Sequence, residues 1–173
     1  MVKEVTLHIS TETIKELREK TGAGVIDCKK ALMEVEGDID KACEILTERG
    51  IALAKKKIDR VASQGIIESY IHLGGKIGSM VELNCETDFV ARTEEFKLLA
   101  HNLALQIAAM SPKYIHPDEI PADADIKDPK TACLILQPFI KDPYKTIQDI
   151  ITETIAKVGE NIKVSRFIRF ELG

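Results

Sequence analysis

Thr87, Asp88, Phe89 and Val90 stand where an apolar run ends and an amphipathic run begins, within Asn-Cys-Glu-Thr-Asp-Phe-Val-Ala-Arg, residues 84–92. This is a strand-to-helix corner, a place where Asp88 and Phe89 can be held up at a surface. The chemistry on offer there is recognition, because an exposed aromatic flanked by polar groups is a typical interface anchor. The spacing leaves two readings of Phe89 open. It lies seven residues before Phe96, so in one unbroken helix both rings fall on the same buried face. Yet Thr93 followed by Glu94 and Glu95 is itself a good helix start, a hydroxyl cap with acids at the positive end of the dipole. If the regular helix begins there, Thr87 to Arg92 is a separate turn, Phe89 points outward and Val90 packs inward.

Bond-making chemistry finds no support elsewhere in the chain. Cys28, Cys43, Cys85 and Cys133 are scattered, without the clustered thiols that metal sites and redox motifs need. They read as buried apolar thiols in a reducing compartment. His8, His72, His101 and His116 are as dispersed, and no spacing puts two of them on one helical face. Gly22-Ala23-Gly24 lacks the third glycine of a dinucleotide loop and follows a predicted helix instead of a strand, and no Walker-type loop or G-x-S-x-G elbow occurs. Carboxylates sit mostly on predicted outer faces. The expectation is a binding protein: not an enzyme, with no catalytic residue, metal or cofactor.

Two sets of elements must position these residues. In the first fifty, Ser10 or Thr11 caps a helix carrying Ile14 and Leu17 that ends before Gly22. Val25, Cys28, Leu32 and Val35 mark a second helix stopping at Gly37, and Asp38 caps a third through Ala42, Ile45 and Leu46. This small unit, with its Gly37-Asp38-Ile39 turn, resembles the ubiquitin-associated type of fold. Ile51 to Arg60 continue as a helical connector whose Lys55, Lys56, Lys57 and Arg60 read as a solvated face, since no aromatics accompany them. Then the period changes. Ile67, Ile71 and Leu73 alternate, Gly74-Gly75 turns the chain, and Ile77, Val81, Leu83 and Cys85 alternate again, which predicts a β-hairpin from Gln64 to Cys85. Phe96, Leu99, Ala100, Leu103, Ile107 and Met110 predict a long amphipathic helix. Residues 111–130 carry four of the six prolines and read as a loop. Thr146 to Lys157 is helical, with Ile147, Ile150, Ile151 and Ile155 on one side. Ile162, Val164, Ile168, Phe170 and Leu172 predict a final strand with one apolar face, joining the hairpin in an antiparallel sheet covered by helices. The fold class is α+β, not a doubly wound sheet. The expected domains are residues 1–54, the three-helix module, and 55–173, an α+β core containing the corner and serving dimerisation.

At 173 residues, with 45% hydrophobic and 30% charged residues, the composition is that of a globular protein. A net charge of −4 argues against a direct nucleic-acid partner. Residues 1–10, Met-Val-Lys-Glu-Val-Thr-Leu-His-Ile-Ser, lack the apolar core of a signal peptide, and no apolar run is long enough for a membrane span. A cytoplasmic location is expected.

Three blocks, in order, carry a resemblance that spans most of the chain. Leu83 to Phe96 (LNCETDFVARTEEF) resembles the signature of elongation factor Ts, the bacterial nucleotide exchange factor of elongation factor Tu. Leu17 to Leu32 (LREKTGAGVIDCKKAL) resembles that family's N-terminal signature, and Gln137 to Asp142 with Val158 to Ile162 (QPFIKD, VGENI) its C-terminal part. The resemblance implies that Thr87, Asp88, Phe89 and Val90 meet elongation factor Tu, the Asp-Phe pair pushing between helices near its nucleotide and magnesium. It implies weaker contact through Arg18, Val25, Ile26 and Lys29, beside Lys20 and Lys30. Val25 and Ile26 stand where the family often has methionines. A self-contained three-helix core with solvated lysines is the competing reading there, and the first fifty residues alone also fit a ubiquitin-associated peptide or nascent-chain binding module. Long members of the family look like two copies of the hairpin-and-helix core in one chain. This chain has one, so a homodimer that rebuilds the pair is expected. Phe167, on the otherwise polar side of the last strand, supports pairing, while Arg166 and Arg169 could protect that edge.

Overall fold

The computed structural model describes residues 9–173; His8 and most of the N-terminal stretch read above lie outside them. The chain divides into two compact units, Met1–Lys56 and Lys57–Gly173.

In the first unit, helices α1 (Thr11–Thr21), α2 (Val25–Glu34) and α3 (Ile39–Lys57) follow in succession. Ser10 caps α1 by accepting from the Thr13 amide, and Gly22 closes it at φ 68°, where a Cβ would be strained. Asp38 accepts from the Lys41 amide at 3.1 Å to start α3. Leu17, Cys28, Ala31, Leu32, Ala42 and Leu46 form the core. Val25 is not in it. It starts α2 and lies half exposed, and Ala31 takes the place beside Leu32. The third helix runs on through the connector, as the helical reading of Ile51 to Arg60 expects, and ends at Lys57.

The second unit is built on an antiparallel three-stranded sheet ordered β1 (Gln64–Ile71), β2 (Ile77–Cys85), β5 (Ile162–Glu171). The hairpin pairs Gln64 with Cys85 and Ile71 with Gly78, and turns at Gly74 and Gly75, both at positive φ. Helix α4 (Asp88–Ala91) is one turn; α5 (Glu94–Met110) packs across one face of the sheet. Ser79 on that face donates to the Ala104 carbonyl at 2.6 Å. Residues 111–130, read as loop, hold a 3-10 turn at Pro117–Glu119 and the start of α6 (Pro129–Ala132). The apolar stretch after it is a second 3-10 turn, Leu134–Leu136, leading into β3 (Pro138–Phe139), which pairs with β4 (Asp142–Thr146). Helix α7 (Ile147–Val158) opens with a reciprocal capping box between Thr146 and Asp149 and buries Ile147, Ile151 and Ile155. Buried Gln106 is fully engaged, donating to Gln137 Oε1 and the Pro138 carbonyl and accepting from the Ile140 amide.

The register sets the facing of the hairpin and corrects that of the last strand. Ile67 sits opposite Glu82 and Ile71 opposite Gly78, whereas Val81 sits opposite Glu68. The two apolar runs of the hairpin therefore lie on opposite faces of the sheet. The last strand does not keep one apolar face. A bulge between Glu82 and Leu83 shifts the pairing from Arg166 to Val164, leaving Ser165 over. Ile162 and Val164 are buried on the helix side, and Phe167 and Arg169 continue that side; Ile168, Phe170 and Leu172 face the other way and are exposed. Arg169 reaches inward to the Ala108 carbonyl. Met110, at the end of the α5 stripe, is also exposed.

Candidate functional site

The corner is two helices in sequence, not one. Thr87, extended at φ −127° and ψ 157°, is the N-cap of α4, its hydroxyl accepting from the Val90 amide at 3.5 Å. Four residues later the chain leaves the helix. Thr93 caps α5 by accepting from the Phe96 amide at 3.3 Å, and its own hydroxyl donates back to the Val90 carbonyl at 2.8 Å. The break takes Phe89 and Phe96 off a common face. Phe96 is completely buried, while Phe89 is 78% exposed. Of the two readings open from sequence, the outward one holds, and its cause is the hydroxyl of Thr93.

The rest of the corner serves to hold that ring out. Val90, 8% exposed, and Ala91 bury the opposite side of the turn. Asp88 pairs with Arg92 at 2.7 Å, an exposed pair one helical turn apart. Behind the cap, Glu160 accepts from the Thr87 amide at 2.9 Å and from its hydroxyl at 2.6 Å. Glu86 accepts from the Asn161 amide at 2.7 Å and lies 3.6 Å from the Arg60 guanidinium. Sequence reasoning singled out Val158 to Ile162 only as a block of resemblance. It gave no role to Glu160, whose partner lies 73 residues away. The one signal was a charged residue and an amide directly after a helix-ending glycine.

The thiols of the chain sit where ionisation is disfavoured. All four thiols are pushed above the ordinary cysteine range, chiefly by burial; Cys85, with the charge of Glu160 added, reaches about 11. A reactive thiolate needs the opposite environment. Among the described residues no group of three or more His, Cys, Asp or Glu side chains is placed to hold a metal ion. No described helix is long and apolar enough to cross a membrane. What the corner presents is a solvent-facing aromatic on a short, tied-down turn beside a carboxylate.

In the first unit, Arg18, Val25, Ile26 and Lys29 are all exposed. Val25 and Ile26 form the first turn of α2, directly after the Gly22-Ala23-Gly24 turn, and Lys29 lies one turn further along. Lys20 is engaged with Glu16 at 3.2 Å. These four side chains belong to a different compact unit from the corner.

The family model described as Elongation factor TS matches residues 1–131. Similar proteins include the elongation factor Ts of Thermotoga neapolitana, 49% identical, with the match covering 96% of this chain and 98% of the relative. Those of Desulforamulus reducens (47% identical; 96% and 90% covered) and Carboxydothermus hydrogenoformans (46%; 95% and 89%) match over the same extent. The alignment to the latter runs over 194 positions, more than the 173 residues of the chain, so that relative carries positions with no counterpart here.

Proposed function

We propose that this chain, which belongs to the elongation factor Ts family and is therefore a translation elongation factor, acts as the guanine-nucleotide exchange factor of elongation factor Tu. The observation that carries the reading is Phe89, 78% exposed on a one-turn helix whose other face is buried. Binding GTPases hold nucleotide through a phosphate-cradling loop and a magnesium ion that bridges phosphate to a loop hydroxyl. An aromatic wedge pushed between two helices of the GTPase displaces the elements that hold the ion; magnesium leaves and GDP follows. Asp88 and Thr87 border the wedge, and Val90 braces it from behind. No bond is made or broken.

The thermodynamics of such a factor are those of linkage. It binds the empty GTPase more tightly than the nucleotide-bound one, and nucleotide weakens its binding by the same factor. Each ~1.4 kcal/mol of preference for the empty state is a tenfold shift. Arg18, Val25, Ile26 and Lys29 supply a second, weaker contact on the same partner, apolar residues flanked by cations. The work is cytoplasmic and needs no cofactor or nucleic acid.

The outer face of the sheet supports a homodimeric assembly. Ile67, Ile71, Met80, Ile168, Phe170 and Leu172 are exposed there together. The register sets Ile168 opposite Met80, and Ile71 and Phe170 on either side of Gly78. A contiguous apolar patch of this kind marks an interaction surface. A second copy placed on it by a two-fold axis pairs the patch with itself and restores a doubled core. The expected assembly is a homodimer with one corner per subunit.

The test is release of fluorescent GDP from elongation factor Tu. Acceleration by the protein is expected, with no nucleotide bound to the chain itself in calorimetry; an unchanged release rate overturns the reading. Sedimentation at micromolar concentration in reducing buffer is expected to give a dimer, and a clean monomer overturns that part alone.

A further inference from the structure

The turn between α7 and β5 is bonded to the corner more heavily than a simple connection requires. Gly159 ends α7 in the left-handed conformation, and its carbonyl accepts from the buried ammonium of Lys57. Glu160 then takes both hydrogen-bond donors of Thr87, and Asn161 donates its amide to Glu86. The Asn161 side chain, buried, donates to the carbonyls of Ile58 at 3.2 Å and Arg60 at 2.9 Å. Glu160 and Asn161 thus tie this turn to residues 86 and 87, while Gly159 and Asn161 tie it to Lys57, Ile58 and Arg60.

A four-residue helix cannot support itself, because nucleation costs more than its few hydrogen bonds return. Two of the three bonds that close α4 are long: the Ala91 amide to the Thr87 carbonyl and the Arg92 amide to the Phe89 carbonyl are both 3.3 Å, and only the Thr93 amide to the Val90 carbonyl, at 3.0 Å, is of ordinary length. The direction of Phe89 is therefore set by the groups that hold the ends of the turn. Thr93 holds the far end; the near end is Thr87. Its hydroxyl hydrogen is committed to Glu160, which leaves the oxygen lone pairs facing the Val90 amide. A carboxylate acceptor strengthens that arrangement. For a wedge, a fixed direction matters directly, since ordering a loose anchor on binding subtracts from the affinity.

We propose that Glu160 is a positioning residue of the exchange corner, acting through Thr87 on the direction of Phe89. The proposal rests on the exchange reading above, and the experiment separates the two. GDP release from elongation factor Tu is measured with wild type, Glu160→Ala, Glu160→Gln, Thr87→Val and Phe89→Ala, and with Glu160→Ala and Phe89→Ala combined. No acceleration by wild type defeats the exchange reading. Given an active wild type, Glu160→Ala is expected to lower exchange efficiency about tenfold. Glu160→Gln and Thr87→Val, each keeping part of the pairing, are expected to fall between, and they serve if the alanine variant does not fold. In the Phe89→Ala background, the added loss from Glu160→Ala is expected to shrink below about twofold, because the ring through which it acts is gone. A merely structural role multiplies equally in both backgrounds. Equal losses in the two backgrounds, or Glu160→Gln and Thr87→Val both within about twofold of wild type, overturn the proposal.

Discussion

Replacing Phe89 by alanine separates an anchor from a core residue by magnitudes that do not overlap. A buried Phe→Ala change costs ~3–5 kcal/mol of stability. Phe89 is 78% exposed, so only about a fifth of its surface is covered, and a proportionate cost is below about 1 kcal/mol. For a chain of this size that is a fall of about 2–4 °C in melting temperature. Phe96→Ala is the internal standard: fully buried, it is expected to lose the whole amount and about 10 °C or more. Function reverses the order. An aromatic hot spot at an interface is worth ~2 kcal/mol or more, which is about a thirtyfold drop in exchange efficiency. The assays are thermal unfolding followed by circular dichroism and stopped-flow release of fluorescent GDP from elongation factor Tu. The reasoning is refuted if Phe89→Ala melts as low as Phe96→Ala, or if it melts normally and still releases GDP at the wild-type rate.

Three further outcomes are expected. Asp88→Ala slows exchange but moves stability by less than about 0.5 kcal/mol, since its pair with Arg92 is exposed; wild-type release from that variant removes Asp88 from the mechanism. Cys85 stays protonated to about 11 in the fold, through burial first, whereas an unfolded cysteine ionises near ~8.5. The unfolded state therefore sheds a proton that the folded state keeps. The stabilisation is complete below about pH 8.5 and is lost as pH rises towards 11, by at most ~1.4 kcal/mol per unit. Urea midpoints of wild type and Cys85→Ala, compared from pH 8 to 10.5, are expected to converge as pH rises, and parallel curves contradict the assignment. Gly65→Ala places a Cβ 2.1 Å from the Leu83 carbonyl oxygen and 2.8 Å from Asn84 Cα, forcing β1 off β2. A loss of about 2 kcal/mol or more is expected, and a variant melting like wild type disproves the register there.

What could be read from the sequence divides along local and non-local lines. The caps at Ser10, Asp38 and Thr93 were legible because each acts on an amide three residues away, whereas Thr146, read as the first helical residue, is itself the cap of α7. The hairpin and the antiparallel third strand were legible from alternation around Gly74-Gly75. The facing of the last strand was not. A period-two pattern carries no sign of a residue left out of the ladder, and one bulge sends Ile168, Phe170 and Leu172 to the opposite face from Ile162 and Val164. Phe167 was misread for the same reason: it continues the helix side, opposite Val81, and is no outward feature of the edge. Glu160 was invisible because its partner is fixed only once β5 lies beside β2.

The same distinction explains how a one-turn helix can present a wedge. Its interior bonds are too few, and two of the three too long, to hold a shape, so rigidity has to come from outside. Thr87 and Thr93 each use one hydroxyl twice, accepting from the amide three residues ahead and donating elsewhere. Thr93 donates to the Val90 carbonyl within the corner, while Thr87 donates to Glu160 across the sheet end. One tie is local and written in Thr-Asp-Phe-Val-Ala-Arg-Thr; the other comes from the far end of the chain. With Val90 buried between them, a change in direction of Phe89 must break a tie or expose Val90. Rigidity of this kind reduces the ordering cost on binding, and it lets an aromatic with few contacts of its own push on a partner without folding back.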